Sequence, residues 1–185
     1  MTRDRPDALA DGSVPFSALL AAREARAYRQ YLLLEDCECP LISLTIVSPG
    51  PVKSSLLIDK VFHVGVTTLH AACDGAGLRI DTQRFSHSAA GPEALCVVRG
   101  IESEALKQIA VNLEDTHPLG RLWDLDVIEP GMNVLSREQF GLPARRCLAC
   151  QENAHFCARN RQHPLPVLET SMKRILSLYE EGVSV

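Results

Sequence analysis

The sequence lacks three features that would point to particular classes of partner: an excess of basic residues, a long uninterrupted apolar run and an abundance of aromatic side chains. Lys and Arg number 19 against 23 Asp and Glu, which gives a formal net charge of −4, and aromatic residues make up 5% of the chain. Without a basic field the chain has no broad attraction for nucleic acid. A helix needs about 20 apolar residues to cross a bilayer, and no uninterrupted run approaches that length. We therefore expect neither nucleic acid nor a membrane as a partner.

An apolar signal-peptide core is also missing, since residues 1–13 are polar and of mixed charge. Seven cysteines, an odd number, favour reduced thiols in a core or a metal site over a disulfide framework. We expect a cytoplasmic protein that is flexible over residues 1–12 and forms a single domain over 13–185. A hydrophobic fraction of 46% is sufficient for one core.

Hydrophobic periodicity and turn residues divide the chain into helices and strands. Helical spacing predicts helices over 13–36, 54–74, 102–115 and 168–181. Apolar or alternating runs predict strands over 41–47, 78–87, 94–99 and 122–128, with the second and third joined across Gly91-Pro92. Because helices and strands mix without a strict alternation, the pattern indicates an α+β or mixed α/β domain, with a sheet flanked by helices.

Two carboxylates, Asp124 and Asp126, stand one residue apart in an otherwise apolar strand. Successive side chains of a strand point to opposite faces, so this spacing places both on the same face. Neighbouring negative charges in a partly desolvated place repel each other, and Mg²⁺ held by carboxylates and substrate phosphates is a common solution. The alternatives are two surface acids on an edge strand, or a structural cluster paired with Arg121. His117 is either a general base near the carboxylates or an uninvolved loop histidine.

The turn from Gly50 to Ser55 lies between the first strand and the second helix. Backbone N–H groups at a helix start attract anions. Lys53 adds a positive charge, and Ser54 or Ser55 can cap the helix and donate to a phosphate. The spacing from Gly50 to Lys53 is too short for a Walker A loop. The alternative is an ordinary capped turn with a solvated lysine.

The C-terminal quarter contains a group of metal-ligating residues. Cys147, Cys150 and Cys157, with one histidine, resemble a closed zinc site of the Cys₃His type. His155 and His163 compete for the fourth position. A redox pair is disfavoured, because Cys147 and Cys150 do not open a helix after a strand. The other alternative is that reduced cysteines are buried as small hydrophobic residues.

Basic residues concentrate in the same segment, 142–166, which is rich in Cys, Arg and His. Arg145, Arg146, Arg159 and Arg161 form a local basic patch in an acidic chain. Arginine binds phosphates and carboxylates bidentately, so the patch predicts a surface for phosphates or for an acidic protein. The alternative is an ordinary solvated surface.

Four segments occur together in an order that is typical of one family. They are Arg23-Glu-Ala-Arg-Ala-Tyr-Arg-Gln30, Ser48-Pro-Gly-Pro-Val-Lys-Ser-Ser55, Glu114-Asp-Thr-His-Pro-Leu-Gly-Arg-Leu-Trp-Asp-Leu-Asp-Val127 and the Cys-rich segment from Cys147 to His163. With these segments the chain resembles the apo-citrate lyase phosphoribosyl-dephospho-CoA transferases, also called holo-citrate lyase synthases. The likeness covers nearly the whole chain, and the Asp-x-Asp run and the Cys-rich tail together are its specific part.

The resemblance implies a nucleotidyltransferase reaction. The donor would be 2′-(5″-triphosphoribosyl)-3′-dephospho-CoA, and the acceptor a serine hydroxyl on the acyl carrier protein, the gamma subunit of citrate lyase. Attack on the phosphorus nearest the ribose would release diphosphate and leave the prosthetic group in phosphodiester linkage. The Asp-x-Asp strand also suggests a nucleotidyltransferase-like mixed sheet.

The resemblance further implies roles for the residues singled out above. Asp124 and Asp126 would hold Mg²⁺ against the triphosphate. Lys53, Ser54 and Arg121 would neutralise charge on the diphosphate leaving group.

Other arginines are expected to bind the two substrates. Arg23 and Arg26 of the first helix are further candidates for the donor phosphates, and the basic tail would meet the carrier protein. The alternative from a different class is a non-catalytic, zinc-stabilised adaptor or chaperone that binds the citrate lyase complex through the same tail.

Overall fold

The computed structural model describes residues 13–35 and 37–182, so the flexibility expected of residues 1–12 lies outside the described part. Five α-helices and five β-strands make up that part. The helices are α1 (Phe16–Leu34), α2 (Leu56–Gly75), α3 (Ser103–Thr116), α4 (Ala154–Arg159) and α5 (Leu165–Glu180). The strands are β1 (Leu41–Ile46), β2 (Arg79–Ser88), β3 (Gly91–Arg99), β4 (Trp123–Ile128) and β5 (Val134–Leu135).

The strands form one sheet in the order β2-β3-β1-β4-β5, and every neighbouring pair is antiparallel. The fold is therefore α+β, one of the two predicted classes, and the expected mixed sheet is wrong. The reason is the position of β1. The helix α3 connects β3 to β4, which run in the same direction, but β1 lies between them and runs opposite to both.

One face of the sheet carries the main hydrophobic core, to which α2, α3 and α5 contribute buried side chains. Along β4, Trp123, Leu125 and Val127 are buried in this core. Because the side chains of a strand alternate, the intervening aspartates, Asp124 and Asp126, face the other way. Packing of the core thus fixes which side of the sheet the two carboxylates occupy.

The opposite face of the sheet is covered by α1 and has an apolar and a polar half. In the apolar half, Leu34 of α1 packs with Leu41, Leu95, Val97 and Ile128 of the strands. In the polar half, Ser43 and Thr45 of β1, Glu93 of β3 and Asp124 and Asp126 of β4 share this face and form the floor of the candidate site.

The helix α2 has the length and composition of a membrane span, although the sequence contains no uninterrupted apolar run of that length. By length and composition Leu56–Gly75 could cross a bilayer, with a mean hydropathy of 1.2. Polar residues such as Asp59 and Lys60 interrupt its apolar positions, so no continuous run marks it in the sequence. In the fold α2 contributes Val61 and Leu69 to the main core, which identifies it as a core helix.

The hairpin between β2 and β3 differs from its prediction. The turn falls at residues 89–90, and Gly91 and Pro92 already belong to β3. Gly91 has φ +97°, and a Cβ there would meet the carbonyl oxygen of Lys53 at 2.6 Å. The missing N–H of Pro92 is tolerated, because the pairing of β3 with β1 extends only to Glu93.

Candidate active site

The two aspartates of β4 lie on the polar half of the face covered by α1. Asp124 is paired in register with Thr45 of β1, and Asp126 with Ser43. Side chains of directly paired residues in an antiparallel sheet share a face. Asp124 is half-buried, whereas Asp126 reaches solvent. The carboxylates therefore stand side by side, as the strand period predicts.

The electrostatic surroundings of the pair favour a cation. Arg145 Nη1 donates a hydrogen bond to Asp124 Oδ1 at 2.9 Å. Although Asp126 keeps contact with solvent, partial desolvation of its carboxyl by the protein around it, and secondly the charge of Asp124, raises its pKa to about 6, while Lys107 and Arg26 act in the opposite direction. The site therefore resists a second negative charge. A divalent cation would favour two ionised carboxylates, which are the oxygen ligands that Mg²⁺ takes.

Charged side chains support the backbone of β4 at its outer edge. The strand β5 pairs only with the last two residues of β4, so the upstream part of β4 is an edge. Glu114 Oε1 accepts a hydrogen bond from Leu125 N–H at 2.8 Å, and Lys107 Nζ donates to the Leu125 carbonyl at 3.4 Å. Arg137 Nη2 binds the second Glu114 oxygen at 2.5 Å. These contacts satisfy the edge groups beside the aspartates.

Sequence reasoning missed Lys107 and Glu114, although a signal was present. The two residues are seven positions apart and fall on the buried stripe of α3, together with Leu106, Ala110 and Val111. Charged residues on a buried stripe need partners. Their location there indicates a polar contact beneath the helix.

Two open cavities meet at Asp124, Arg145 and His155, which line both of them. The acidic cavity, of about 670 Å³, is lined by these residues and by a group that includes Lys107, Glu114, Asp126, Arg137 and Glu138. The arginine cavity, of about 870 Å³, is lined by the shared residues and by a group that includes Ser48, Gly50, Arg121, Arg146, Arg161 and Leu165.

Arg121 lines the arginine cavity and does not pair with the aspartates. Its Nε and Nη2 atoms are buried without a hydrogen-bond partner, and within the described part of the chain no other buried side-chain nitrogen or oxygen is in this situation. Burial lowers the pKa of this guanidinium. The alternative in which Arg121 neutralises the acidic pair is wrong, because Arg145 makes that ion pair.

The predicted phosphate loop holds its lysine against its own backbone. Lys53 Nζ donates to the carbonyl of Ser48 at 2.5 Å. Burial, and secondly the charge of Arg23, lowers the pKa of Lys53. The lysine is thus half-buried beside another cation, rather than solvated as the alternative interpretation has it.

The two serines of this loop have different partners. Ser55 caps α2, since its Oγ accepts from the Ile58 N–H at 3.2 Å. Ser54 Oγ lies 3.0 Å from Nε2 of His87, and Asp59 Oδ1 lies 3.2 Å from the same nitrogen. Because the serine and the aspartate share one ring nitrogen, this trio does not have the arrangement of a catalytic triad.

The arginines of α1 lie along the polar half of the sheet face. Arg23 is near Lys53, and Arg26 is near Asp126, since each affects the pKa of that neighbour. Arg29 forms an ion pair at 2.5 Å with Glu93, whose side chain is buried. The sequence analysis did not single out this last pair, although an acid in the apolar β3 run indicates a buried partner.

The C-terminal segment brings three cysteines and one histidine together. The ligand atoms of Cys147, Cys150, Cys157 and His163 all lie within 4.8 Å of one another. His163 Nε2 is 3.2 Å from Cys150 Sγ, and the sulfurs of Cys150 and Cys157 are 3.6 Å apart. Such spacings suit four ligands around one tetrahedral ion. His163 is therefore the fourth member of the cluster, and His155 is not.

The thiols influence one another strongly. Burial raises the pKa of Cys147, but hydrogen bonds from the Ala149 and Cys150 backbones outweigh this effect and lower the pKa overall. Burial and the neighbouring thiols raise the pKa of Cys157. One thiolate is favoured and further ionisation is resisted. A bound cation would allow all the thiols to ionise, so the cluster can hold a metal ion.

A short hairpin connects this Cys₃His cluster to the acidic pair. Cys147 N–H donates to the Glu152 carbonyl at 2.7 Å, and Ala154 N–H donates to the Arg145 carbonyl at 2.8 Å. The side chain of Arg145 leaves the hairpin and reaches Asp124. Arg145, predicted to belong to a partner-binding surface, is therefore part of the candidate site.

The other arginines of the predicted patch remain at the surface. Arg146 and Arg161 are exposed and line the arginine cavity, and Arg159 is exposed on α4. Their binding of a partner stays a prediction.

The histidines near the site differ in their environment. His117 stacks on Trp123, with ring centroids 4.4 Å apart, and its Nδ1 accepts from the Leu119 N–H at 3.0 Å. It has a structural role, in agreement with the interpretation of an uninvolved loop histidine. His155 is exposed where the two cavities meet.

Comparison with known proteins identifies the family. The family model described as Apo-citrate lyase phosphoribosyl-dephospho-CoA transferase matches residues 14–179. The chain belongs to this family. Proteins named Apo-citrate lyase phosphoribosyl-dephospho-CoA transferase from Escherichia coli (strain SMS-3-5 / SECEC) and Shigella boydii serotype 18 (strain CDC 3083-94 / BS512) are each similar to it. Each is 39% identical over 172 residues, 93% of this chain and 93% of the relative.

The matched region of this transferase family includes every element of the candidate site, from α1 to the Cys₃His cluster. The resemblance found in the sequence is therefore confirmed. The acidic pair, the two cavities and the Cys₃His cluster all belong to the part of the chain that defines the family.

Proposed function

We propose that this protein transfers the phosphoribosyl-dephospho-CoA group of 2′-(5″-triphosphoribosyl)-3′-dephospho-CoA to a serine of the citrate lyase acyl carrier protein. By homology the chain is an apo-citrate lyase phosphoribosyl-dephospho-CoA transferase. The observation that carries the chemistry is the carboxylate pair of β4, which lies with Arg145 where two cavities meet. The non-catalytic adaptor has no support, because the family is one of transferases.

The reaction is a substitution at phosphorus. The serine oxygen attacks the phosphorus nearest the ribose and forms the new P–O bond. The bond from that phosphorus to the bridging oxygen breaks, diphosphate leaves with the electron pair, and the serine proton passes to solvent. Catalysis of such a step rests on positioning and on stabilisation of charge.

The carboxylate pair supports a magnesium-dependent reaction. Asp124 and Asp126 would hold Mg²⁺, which supplies charge neutralisation at the triphosphate. Arg145 would turn its guanidinium from Asp124 to the phosphates, and Arg23, Arg26, Lys53 and Ser54 are the further phosphate-binding candidates. The Asp-x-Asp strand is also what supports a nucleotidyltransferase-like fold, in an antiparallel version.

The Cys₃His cluster supports a structural zinc ion. Cys147, Cys150, Cys157 and His163 match the ligand types of closed zinc sites. The ion would hold the hairpin that carries Arg145. Seven free cysteines in the described residues suit the reducing cytoplasm, where we expect the reaction to occur.

Intact-mass measurement tests the proposal. The full-length protein, donor and Mg²⁺ are incubated with the apo carrier protein, and the carrier should gain the mass of the prosthetic group. Asp124→Asn and Asp126→Asn should each lower the rate by about 10²–10³-fold, as loss of one strong electrostatic contact in an active site does.

The matched control is Asp74→Asn, which changes an exposed aspartate near the end of α2, outside both cavities. Its rate should equal that of the wild type. Full activity in both β4 variants, or transfer that is unaffected by removal of Mg²⁺, would contradict the metal role of the pair. Binding of the carrier without any gain of mass would favour the adaptor.

A further inference from the structure

We propose that the arginine cavity is the binding site for the diphosphate that leaves the donor, with Arg121 as its principal contact. This inference rests on the proposed function and specifies where the end of the triphosphate lies. The resemblance gave this task to Lys53, Ser54 and Arg121 together, and the structure favours the cavity of Arg121 over the loop of Lys53 and Ser54.

The first observation is the unpaired guanidinium of Arg121. Its Nε and Nη2 are buried, and no acceptor lies within hydrogen-bond distance among the described residues. Buried donors are almost always paired, and an unpaired charged donor is costly. The arrangement is explained if an anion with several acceptor oxygens completes it. A phosphate group fits the planar fork of arginine.

The second observation is that Arg121 is fixed in its unpaired position. Gly120 packs so tightly on α3 that a Cβ would meet the Leu113 carbonyl oxygen at 2.4 Å. Arg145 Nη2 binds the carbonyls of Gly120 and Arg121 at 3.5 and 3.4 Å. The backbone that carries Arg121 is thus held from both sides, so the side chain starts from a fixed position at the edge of the cavity.

The third observation is the charge and size of the cavity. Four arginines line it, namely Arg121, Arg145, Arg146 and Arg161, and Asp124 is the only carboxylate among its lining residues. A volume of about 870 Å³ is ample for a diphosphate. Asp124 stands at its border with the acidic cavity. Mg²⁺ at Asp124 would therefore lie beside phosphates in the arginine cavity.

The loop around Lys53 is a weaker diphosphate site by comparison. The ammonium group of Lys53 already donates to the Ser48 carbonyl at 2.5 Å, and Ser54 is engaged with His87 at 3.0 Å. These groups have partners in the fold, whereas the buried Nε and Nη2 of Arg121 have none among residues 13–35 and 37–182.

The test measures binding of inorganic diphosphate to the full-length protein by calorimetry, with Mg²⁺ present. Arg121→Gln should weaken binding by about 10–100-fold, the effect of losing a charged hydrogen bond. Arg146→Gln, at an exposed position whose side chain hydrogen-bonds to the exposed Gln151, should weaken it by about 2–5-fold. Arg84→Gln, on the far edge strand β2, should leave it unchanged. Diphosphate should compete with the donor in the transfer assay.

Zinc content and melting temperature are measured on the same variants, because Arg121 also lies near Cys147 and Cys150. Unchanged diphosphate affinity in Arg121→Gln, with or without loss of zinc, would overturn the inference. The inference is also overturned if the wild type does not bind diphosphate, or if Lys53→Gln is the only one of these substitutions that weakens binding. If the Arg121→Gln variant does not fold, the other arginines of the cavity decide. The inference is overturned when Arg146→Gln and Arg161→Gln both bind diphosphate as tightly as the wild type.

Failure of the inference and failure of the proposed function give different results. A wild-type protein that binds diphosphate through Arg121 but adds no mass to the carrier would contradict the function and leave the anion site standing. A protein that transfers the group normally, with Arg121→Gln binding diphosphate as tightly as the wild type, would contradict only the site.

Discussion

At Gly65 the absence of one methyl group determines how closely α2 approaches β4. A Cβ at this position would meet Trp123 Nε1 at 2.8 Å and Cε2 at 3.0 Å. The indole cannot move away easily, because it is buried and its Nε1–H donates to the Val61 carbonyl at 3.0 Å. Trp123 directly precedes Asp124, so this packing also sets the position of the candidate site.

We expect Gly65→Ala to lower the free energy of unfolding by about 1–3 kcal/mol, the range for an extra methyl group in a packed core. Urea denaturation measures the change. In the control Gly75→Ala, no atom lies within 4 Å of the new Cβ. That variant should be unchanged or more stable by up to about 1 kcal/mol, because alanine restricts the unfolded chain. Equal stability of the two variants would contradict the packing argument.

Single residues also show where sequence reasoning about the site fails. The density of arginines was visible in the sequence, but the sequence did not show which arginine pairs with the aspartates. Arg121 is close to the aspartates in sequence, yet its guanidinium lies in the arginine cavity without a partner. Arg145 is 21 positions from Asp124 and contacts it. Proximity along the chain does not decide which cation reaches a carboxylate once a hairpin folds back on the sheet.

Among the elements, the hairpin with the Cys₃His cluster is the one that we expect to depend on a bound metal ion. We expect Cys157→Ser to lose bound zinc and to lower the melting temperature by about 5–10 °C. In a chain of this size each 1 kcal/mol of lost stability corresponds to about 2–4 °C. The transfer rate should fall as well, because the hairpin would no longer hold Arg145 where the two cavities meet. Elemental analysis, thermal unfolding and the transfer assay measure these effects.

The matched control is Cys37→Ser, a half-buried cysteine outside the cluster. It should keep its zinc content, melting temperature and transfer rate. A purified wild-type protein without zinc, or one whose melting temperature is unaffected by a chelator, would contradict the metal assignment.

The long elements were predictable from the sequence, and the short ones were not. Helices α1, α2, α3 and α5 have apolar positions at helical spacing, and strands β1, β3 and β4 have dense apolar runs. The predicted ends of these elements and of β2 are close to those observed. The strand β5 and the helix α4 have two and six residues. Such lengths are too short for periodicity to appear, and these elements form because the rest of the fold offers them a partner.

For the whole molecule, the contrast between a net acidic chain and an exposed basic segment bears on how the carrier binds. An acidic carrier protein would be attracted to the exposed arginines near the cavities. Charges at the rim of an interface chiefly affect the rate of association and its dependence on salt.

We expect Arg159→Glu to raise the KM for the carrier by about 2–5-fold, with kcat and the KM for the donor unchanged. The size follows from the modest energy of an exposed ion pair. The effect should diminish at high salt, because exposed charges are then screened. In the control Arg84→Glu, the substitution lies on β2 at the other edge of the sheet, and the KM should not change. A salt-independent effect, or an equal effect in the control, would argue against this docking surface.

The family, the placement of two aspartates on one face of a strand, and the residue types of the Cys₃His cluster were all predictable before the fold was known. These properties follow from local chemistry and from the two-residue period of a strand. The folded chain was needed to show that β1 lies between β3 and β4, that His163 rather than His155 completes the cluster, and that Arg145 pairs with Asp124. Each of these depends on which distant segments share space in the fold, and that is set by the packing of the whole core.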